Sequence, residues 1–304
     1  MPLTLPKREF SKSKMSMYLR TLCDRELYLS LFSNNPNQLE KAGIPVPLKS
    51  RPGVQLITSS GREFEYEQFN VLCSSLPNNV FAKNSGTAPV DLLNALSKIA
   101  ILTLILQPQI EPQDFRDSAL TNIGVTKDDQ EFIPELSGLR PDVIFADDRR
   151  ETEFEILPDG TRRQLAEDDK RMALCVIDLK NITEANASYS AEVCLYAIFL
   201  TNWLHNEGKA FLDKFFVPDR IYLWRHIEMP NFTKILGTKE GGDHDNRLKA
   251  LRQDLEDGLV LFLIYMPSVR KFFCEDLPRV IRLGDSKGWD AVPYHVKPHR
   301  LGLA

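Results

Sequence analysis

The stretch "ALCVIDLKNI", residues 173–182, decides how the chain is read. Its apolar, β-branched composition is that of a buried strand, and in a strand successive side chains point to opposite faces. Val176, Asp178 and Lys180 therefore share one face, and Cys175, Ile177 and Leu179 the other. An acid and a base side by side inside a sheet are costly unless something compensates them. Asp178 and Lys180 are thus the first candidates for chemistry.

Around this strand the pattern is that of an α/β protein with helical flanks. "GLRPDVIFAD" (138–147) reads as a short strand entered through a proline, "TEFEILPDGTRRQL" (152–165) as a hairpin turning at Pro-Asp-Gly, and "DRIYLWRHI" (219–227) as a further strand. Residues 188–206 are expected to form a long helix, and "GREFEYEQFNVLCSSL" (61–76) another, with Phe64, Phe69 and Leu72 on one face. Residues 13–32 read as one amphipathic helix behind a serine cap, 91–106 as a buried helix, and the chain from Leu248 to about Phe273 as helical. "NNPNQLEKAGIPVPLKSRPG" (34–53) and "GTKEGGDHDNR" (237–247) read as loops. The expected organisation is an N-terminal helix and linker over 1–50, a core over 51–230 and a C-terminal helical extension over 231–304 of the same domain.

Composition narrows the function. With 38 Lys and Arg against 42 Asp and Glu, the formal net charge of −4 gives no overall basic field to coat nucleic acid, although a local groove is compatible with it. The five cysteines, Cys23, Cys73, Cys175, Cys194 and Cys274, include no CxxC pair, which argues for reduced thiols in a cytoplasmic protein rather than a disulfide or zinc framework. The opening residues carry no apolar run of the signal-peptide kind, and "LLNALSKIAILTLIL" (92–106) contains Lys98 and is too short to span a bilayer, so no membrane partner is expected. There is no phosphate-binding GxxxxGK[ST] loop and no GxSxG elbow.

The acids gain meaning together. "RPD" at 140–142 followed by "IDLK" at 177–180 resembles the motif of the PD-(D/E)XK nuclease superfamily. Three further stretches are similar to its RecB/Cas4-like branch. "GREFE" (61–65) matches a first-helix motif ending in a metal-binding Glu, here Glu65. "EVCLY" (192–196) matches a Q-x-x-x-Y helix motif, with Glu192 where Gln is usual and Tyr196 in place. "SKMSMYLRTLCDRELYL" matches the opening helix. The resemblance covers about residues 11–230 and implies a restriction-endonuclease-like core, a mixed central β-sheet flanked by helices. It also implies a hydrolase, a Mg²⁺- or Mn²⁺-dependent deoxyribonuclease. Asp142, Asp178, Glu65 and the Leu179 backbone carbonyl would hold the metal. Lys180 would be catalytic beside Asp178 and Asp142, and Glu192 and Tyr196 would orient Lys180 or the substrate. Hard cations take oxygen ligands, which is the chemical reason for acids at these positions.

Relatives of this branch act with helicases in DNA repair or in antiviral defence, so the implied partners are DNA and a helicase or other ATPase. Some carry an iron–sulfur cluster on one N-terminal and three C-terminal cysteines. Cys23 fits the first position but only Cys274 lies in the C-terminal region, so no cluster is expected. A nucleic-acid-binding or scaffolding subunit that retains the fold without turnover is the rival reading, and a sequence-specific restriction endonuclease a third. His244, His295 and His299 read as surface histidines, Trp203 and Trp224 as core, and Lys7, Arg8, Lys12, Lys14, Arg20 and Arg25 as a solvated basic helix face or a backbone-tracking groove. The charge-dense insertion from "DDRRETEFE" to "EDDKRM" reads as an exposed hairpin or partner surface.

Overall fold

The computed structural model describes residues 8–32, 39–40, 43–45, 52–99, 102–147, 153–181, 187–225 and 261–294. Its centre is a mixed sheet whose main strands are β1 (Thr103–Leu106), β2 (Val143–Asp147), β3 (Met172–Lys180) and β4 (Ile221–Arg225). They lie side by side in that order. β2 runs antiparallel to both β1 and β3, and β4 runs parallel to β3. Phe215–Phe216 extends the β4 edge, and Val80–Phe81 closes the other edge along β1.

Two helices seal the two faces. α4 (Ala187–Glu207) packs on one face and is apolar almost all round, as a helix buried between layers must be. It meets Ile144, Ala146, Leu174 and Val176, which alternate inward from β2 and β3. α3 (Pro52–Ser75) covers the opposite face, where Phe64, Phe69 and Leu72 meet Val143, Phe145, Cys175, Ile177 and Leu179. The alternation read from residues 173–182 is therefore the alternation of the sheet.

The two ends of the chain close on each other beside α4. The N-terminal helices are α1 (Lys12–Thr21) and α2 (Asp24–Ser30), and the C-terminal ones are α5 (Leu261–Lys271) and α6 (Leu277–Lys287), joined by one wide π turn at Phe272–Asp276. Phe10 packs on Phe273 with ring centroids 5.3 Å apart, and Tyr18 on Phe272 at 5.6 Å. Arg279 grips Asp24 through both terminal nitrogens, at 2.6 and 3.0 Å. Gly284 lies so close to Tyr28 that an added Cβ would overlap its ring. These contacts fix where α1 points.

The hairpin forms as expected, with Phe154–Ile156 paired to Arg162–Gln164. Asp159 accepts from the Thr161 amide at 2.9 Å and Gly160 takes φ +78°, the left-handed turn position that favours glycine. Trp203 and Trp224 are buried. Among the described residues no helix is long and apolar enough to cross a membrane.

Three expectations are corrected. Residues 91–106 are not one helix: helix Leu92–Leu96, capped by the Asp91 side chain on the Asn94 amide, ends early, and β1 follows. A central strand buried on both faces is apolar without alternation, so its period cannot distinguish it from a buried helix. Residues 13–32 are two helices, broken where Leu22 adopts φ 51° and Cys23 is extended, and the expected cap Ser13 lies inside α1, whose N-cap position is held by Ser11. The charged insertion is only partly exposed: Arg162–Gln164 face solvent, but Asp147 and Glu155 are buried. The loop over 237–247, the segment 248–260, Lys7, His244, His295 and His299 lie outside the described residues.

Candidate active site

The pairing register brings the two aspartates together. The β2–β3 ladder ends at Ile177 opposite Val143, so the next rung sets Asp178 opposite Asp142, on the face that α4 covers. Directly opposed residues in an antiparallel pair hold their Cβ atoms about 5 Å apart. Both are buried, Asp178 completely. Lys180, two residues on, places its Nζ 2.6 Å from Asp178 Oδ2.

Asp142 is fixed on both oxygens. The Leu179 amide donates to Oδ2 at 2.6 Å and Gln107 Nε2 donates to Oδ1 at 3.1 Å. The N–H and C=O of one strand residue point to the same side, so the Leu179 carbonyl is directed toward the aspartates, beyond the end of β2. From α4, Glu192 Oε2 lies 3.5 Å from Lys180 Nζ. One turn on, the Tyr196 hydroxyl donates to the Arg140 carbonyl at 2.8 Å and so braces the Arg140–Pro141–Asp142 turn. Glu65, half-buried on α3, reaches the same cleft from the other face of the sheet. The cleft measures about 460 Å³, and Glu65, Gln107, Arg140, Asp142 and Tyr196 line it. Every residue assigned to the site from sequence thus lies at one end of the sheet.

The electrostatics are lopsided. Burial, then the neighbouring Asp178 charge, pushes Asp142 well above the usual carboxylate range. Asp178 is also penalised by burial, but Lys12 and Lys180 outweigh that and hold it down, to about 2. The two carboxyl groups are therefore driven in opposite directions and titrate as a pair. Burial raises Glu65 as well, against the pull of Lys180. Burial would lower Lys180, yet the Asp178 carboxylate drives it above the ordinary lysine range. Asp178 Oδ2 accepts no hydrogen bond of good angle, even from the ammonium beside it.

Two site residues escaped the sequence reading. Gln107 lies in the stretch between β1 and Pro108 and takes φ +52°, a left-handed conformation rare for a residue with a Cβ. Lys12, read above as part of a solvated basic helix face or a backbone-tracking groove, instead points inward: its Nζ lies 3.4 Å from Asp178 Oδ1 and 3.6 Å from Glu192 Oε2. It also sits 4.6 Å above the Tyr196 ring. The rest of that basic face is largely committed within the chain. Arg8 pairs with Asp285 at 2.7 Å, Lys14 donates to the Glu9 carbonyl, and Arg25 donates to the carbonyls of Asp290 and Val292.

All nearby donors to a cation are oxygens, and a buried carboxylate oxygen lacks an aligned hydrogen bond, a donor set that fits a hard divalent ion. Among the described residues no three acidic, histidine or cysteine side chains are already gathered as a metal cage. No protein-family model, curated protein or solved structure matches the chain.

Proposed function

We propose that the chain is a Mg²⁺- or Mn²⁺-dependent DNA nuclease with a restriction-endonuclease-like core, of the kind its motifs resemble in the RecB/Cas4-like branch of the PD-(D/E)XK superfamily. The observation that carries the proposal is the opposition of Asp142 and Asp178 with Lys180 on the same face. The order α3, β1, β2, β3, α4, β4 also supports it, because it sets the first acid on a helix, the second immediately before β2, the third on the adjacent β3 and the Glu192/Tyr196 pair on the helix that follows. Asp142, Asp178, Glu65 and the Leu179 carbonyl would hold the ion, which supplies Lewis-acid stabilisation of the phosphoryl oxygens and a more acidic water. Lys180 holds a water or a phosphoryl oxygen at its ammonium and offsets negative charge as it develops. Glu192 keeps that ammonium over Asp178, and Tyr196 keeps the turn bearing Asp142 in place. With no motor motif in the sequence, the enzyme would act on DNA presented by a helicase or similar partner, in repair or antiviral defence.

The test is labelled single- and double-stranded DNA with and without Mn²⁺. Metal-dependent shortening is expected in the wild type and should fall about 100-fold or more in Asp178→Ala and in Lys180→Ala. Undiminished cleavage by either variant rejects the site. One observation favours the rival, a nucleic-acid-binding or scaffolding subunit without turnover: the Lys12 ammonium stands among the acids. In that case the wild type would cleave neither substrate.

A further inference from the structure

We infer that Lys12 is the resident counter-cation of the acid cluster and that a divalent ion takes its place, so that the N-terminal helix sets how tightly the site holds metal. The inference rests on the metal-dependent reading above and adds a residue to it. Asp178 and Glu192 are buried together beside Asp142, and Lys180 alone cannot balance both carboxylates. Lys12 supplies the remaining positive charge in the absence of metal. A divalent ion on the same acids makes that ammonium surplus, and like charges a few ångströms apart in a partly desolvated pocket repel strongly.

Geometry says which lysine yields. Lys180 is anchored at 2.6 Å on a central strand. Lys12 makes only a long hydrogen bond, 3.4 Å to Asp178 Oδ1, lies 3.6 Å from Glu192 Oε2, and has a side chain that is 28% exposed. It begins α1 and borders the open cleft beside Ser11, Ser13 and Arg140. Its stem is flexible and its head is a compact point charge, so it leaves one anion for another without breaking a planar fork. Displaced into the cleft, the ammonium would meet a phosphate of the substrate backbone. Lys12 is thus a positioning residue for metal and DNA. The clamp of α5 and α6 on α1 and α2 is what delivers it there.

The experiment is calorimetric titration of the full chain with Mn²⁺, with no DNA present, for the wild type, Lys12→Met, Lys12→Arg and Asp178→Asn, together with the melting shift that Mn²⁺ produces in each. Lys12→Met should bind Mn²⁺ at least about tenfold tighter than the wild type, as expected when a unit charge is removed beside a divalent ion. Its melting temperature should rise more on adding Mn²⁺. Lys12→Arg keeps the charge and should stay near or below the wild-type affinity. Asp178→Asn should bind weakly or not at all. Binding that Asp178→Asn removes and Lys12→Met leaves unchanged or weakens overturns the inference while the metal site stands. Absence of Mn²⁺ binding in both the wild type and Lys12→Met overturns the inference and the metal-dependent reading together. If Lys12→Met is too unstable to titrate, Lys12→Gln serves the same comparison.

Discussion

Strand β3 carries a buried ionic cluster at each end, and the two are built differently. At the Met172 end, Glu155 accepts from Arg163 at 2.7 Å and from both terminal nitrogens of Arg171 at 3.0 and 3.1 Å. Arg171 also grips Asp169 and lies 5.2 Å over the Phe216 ring, while Arg162 meets Asp219 at 2.9 Å. Acids and guanidinium groups are matched there, and planar forks satisfy the carboxylate oxygens. At the Lys180 end the partners are lysines, three of the four contacts are 3.4 Å or longer, the acids outnumber the bases, and one buried oxygen lacks an aligned hydrogen bond. A matched arginine cluster locks structure. An under-compensated lysine cluster can exchange its cations, and this difference, rather than the number of charges, singles out one end as the site.

Mutating one acid at each end should break the symmetry most visibly. Glu155→Ala strips the half-buried Arg171 of its buried partner and leaves it Asp169 alone, and breaking a buried pair in this way costs about 3–5 kcal/mol. Asp178→Ala should cost less, because Lys12 and Lys180 both reach solvent along flexible stems. Urea unfolding measures both, and Mn²⁺ titration of the folded variants should show binding intact in Glu155→Ala and lost in Asp178→Ala. Equal losses of stability with equal losses of metal binding would erase the distinction between the two ends.

A second, smaller effect is pH dependence in metal-free protein. Asp142 sits well above its ordinary value, so the folded state holds a proton that the unfolded chain has released. That contribution is present below about pH 4 and is lost as pH rises through the folded value. Asp178 is held down, to about 2, so its contribution is present above about pH 4 and is lost as pH falls toward 2, on the order of 2 kcal/mol. Opposite shifts on facing residues predict a stability maximum at mildly acid pH. Asp142→Asn should flatten the limb above the maximum and Asp178→Asn the limb below it, read as urea midpoints from pH 2.5 to pH 8 in about 1 mM chelator, which removes stray metal stabilisation.

What the sequence made legible follows the range of the forces involved. The faces of β3, the hairpin and the long helix α4 are local patterns, written within a few residues of themselves. The placement of Asp142, Asp178, Lys180, Glu192, Tyr196 and Glu65 at one end of the sheet was legible only through motif resemblance, because the register that opposes 142 to 178 is set across the thirty-five intervening residues. Lys12 was illegible for a different reason. In α1 it is one of several alternating serines and lysines, and only the docking of Phe272, Phe273 and Arg279 on the N-terminal segment decides which of them turns inward. Gln107 was hidden because the apolar run before it read as helix, and a left-handed residue between two strands leaves no periodic signature.

The smallest predicted effect sharpens the comparison at the site itself. Tyr196 contributes two separable things: a ring beneath the Lys12 ammonium and a hydroxyl that donates to the Arg140 carbonyl. Tyr196→Phe keeps the first and removes the second, leaving a carbonyl unpaired at a cost of about 1 kcal/mol. Because Arg140 precedes Asp142 by two residues, the loosened turn should also move the carboxyl group, and cleavage should fall a few-fold at unchanged Lys12 chemistry. Tyr196→Leu removes the ring as well and should additionally free Lys12, tightening Mn²⁺ binding relative to Tyr196→Phe. Were Tyr196 only a core filler, the Phe variant would match the wild type in both cleavage and metal affinity, and the two substitutions would differ in stability alone.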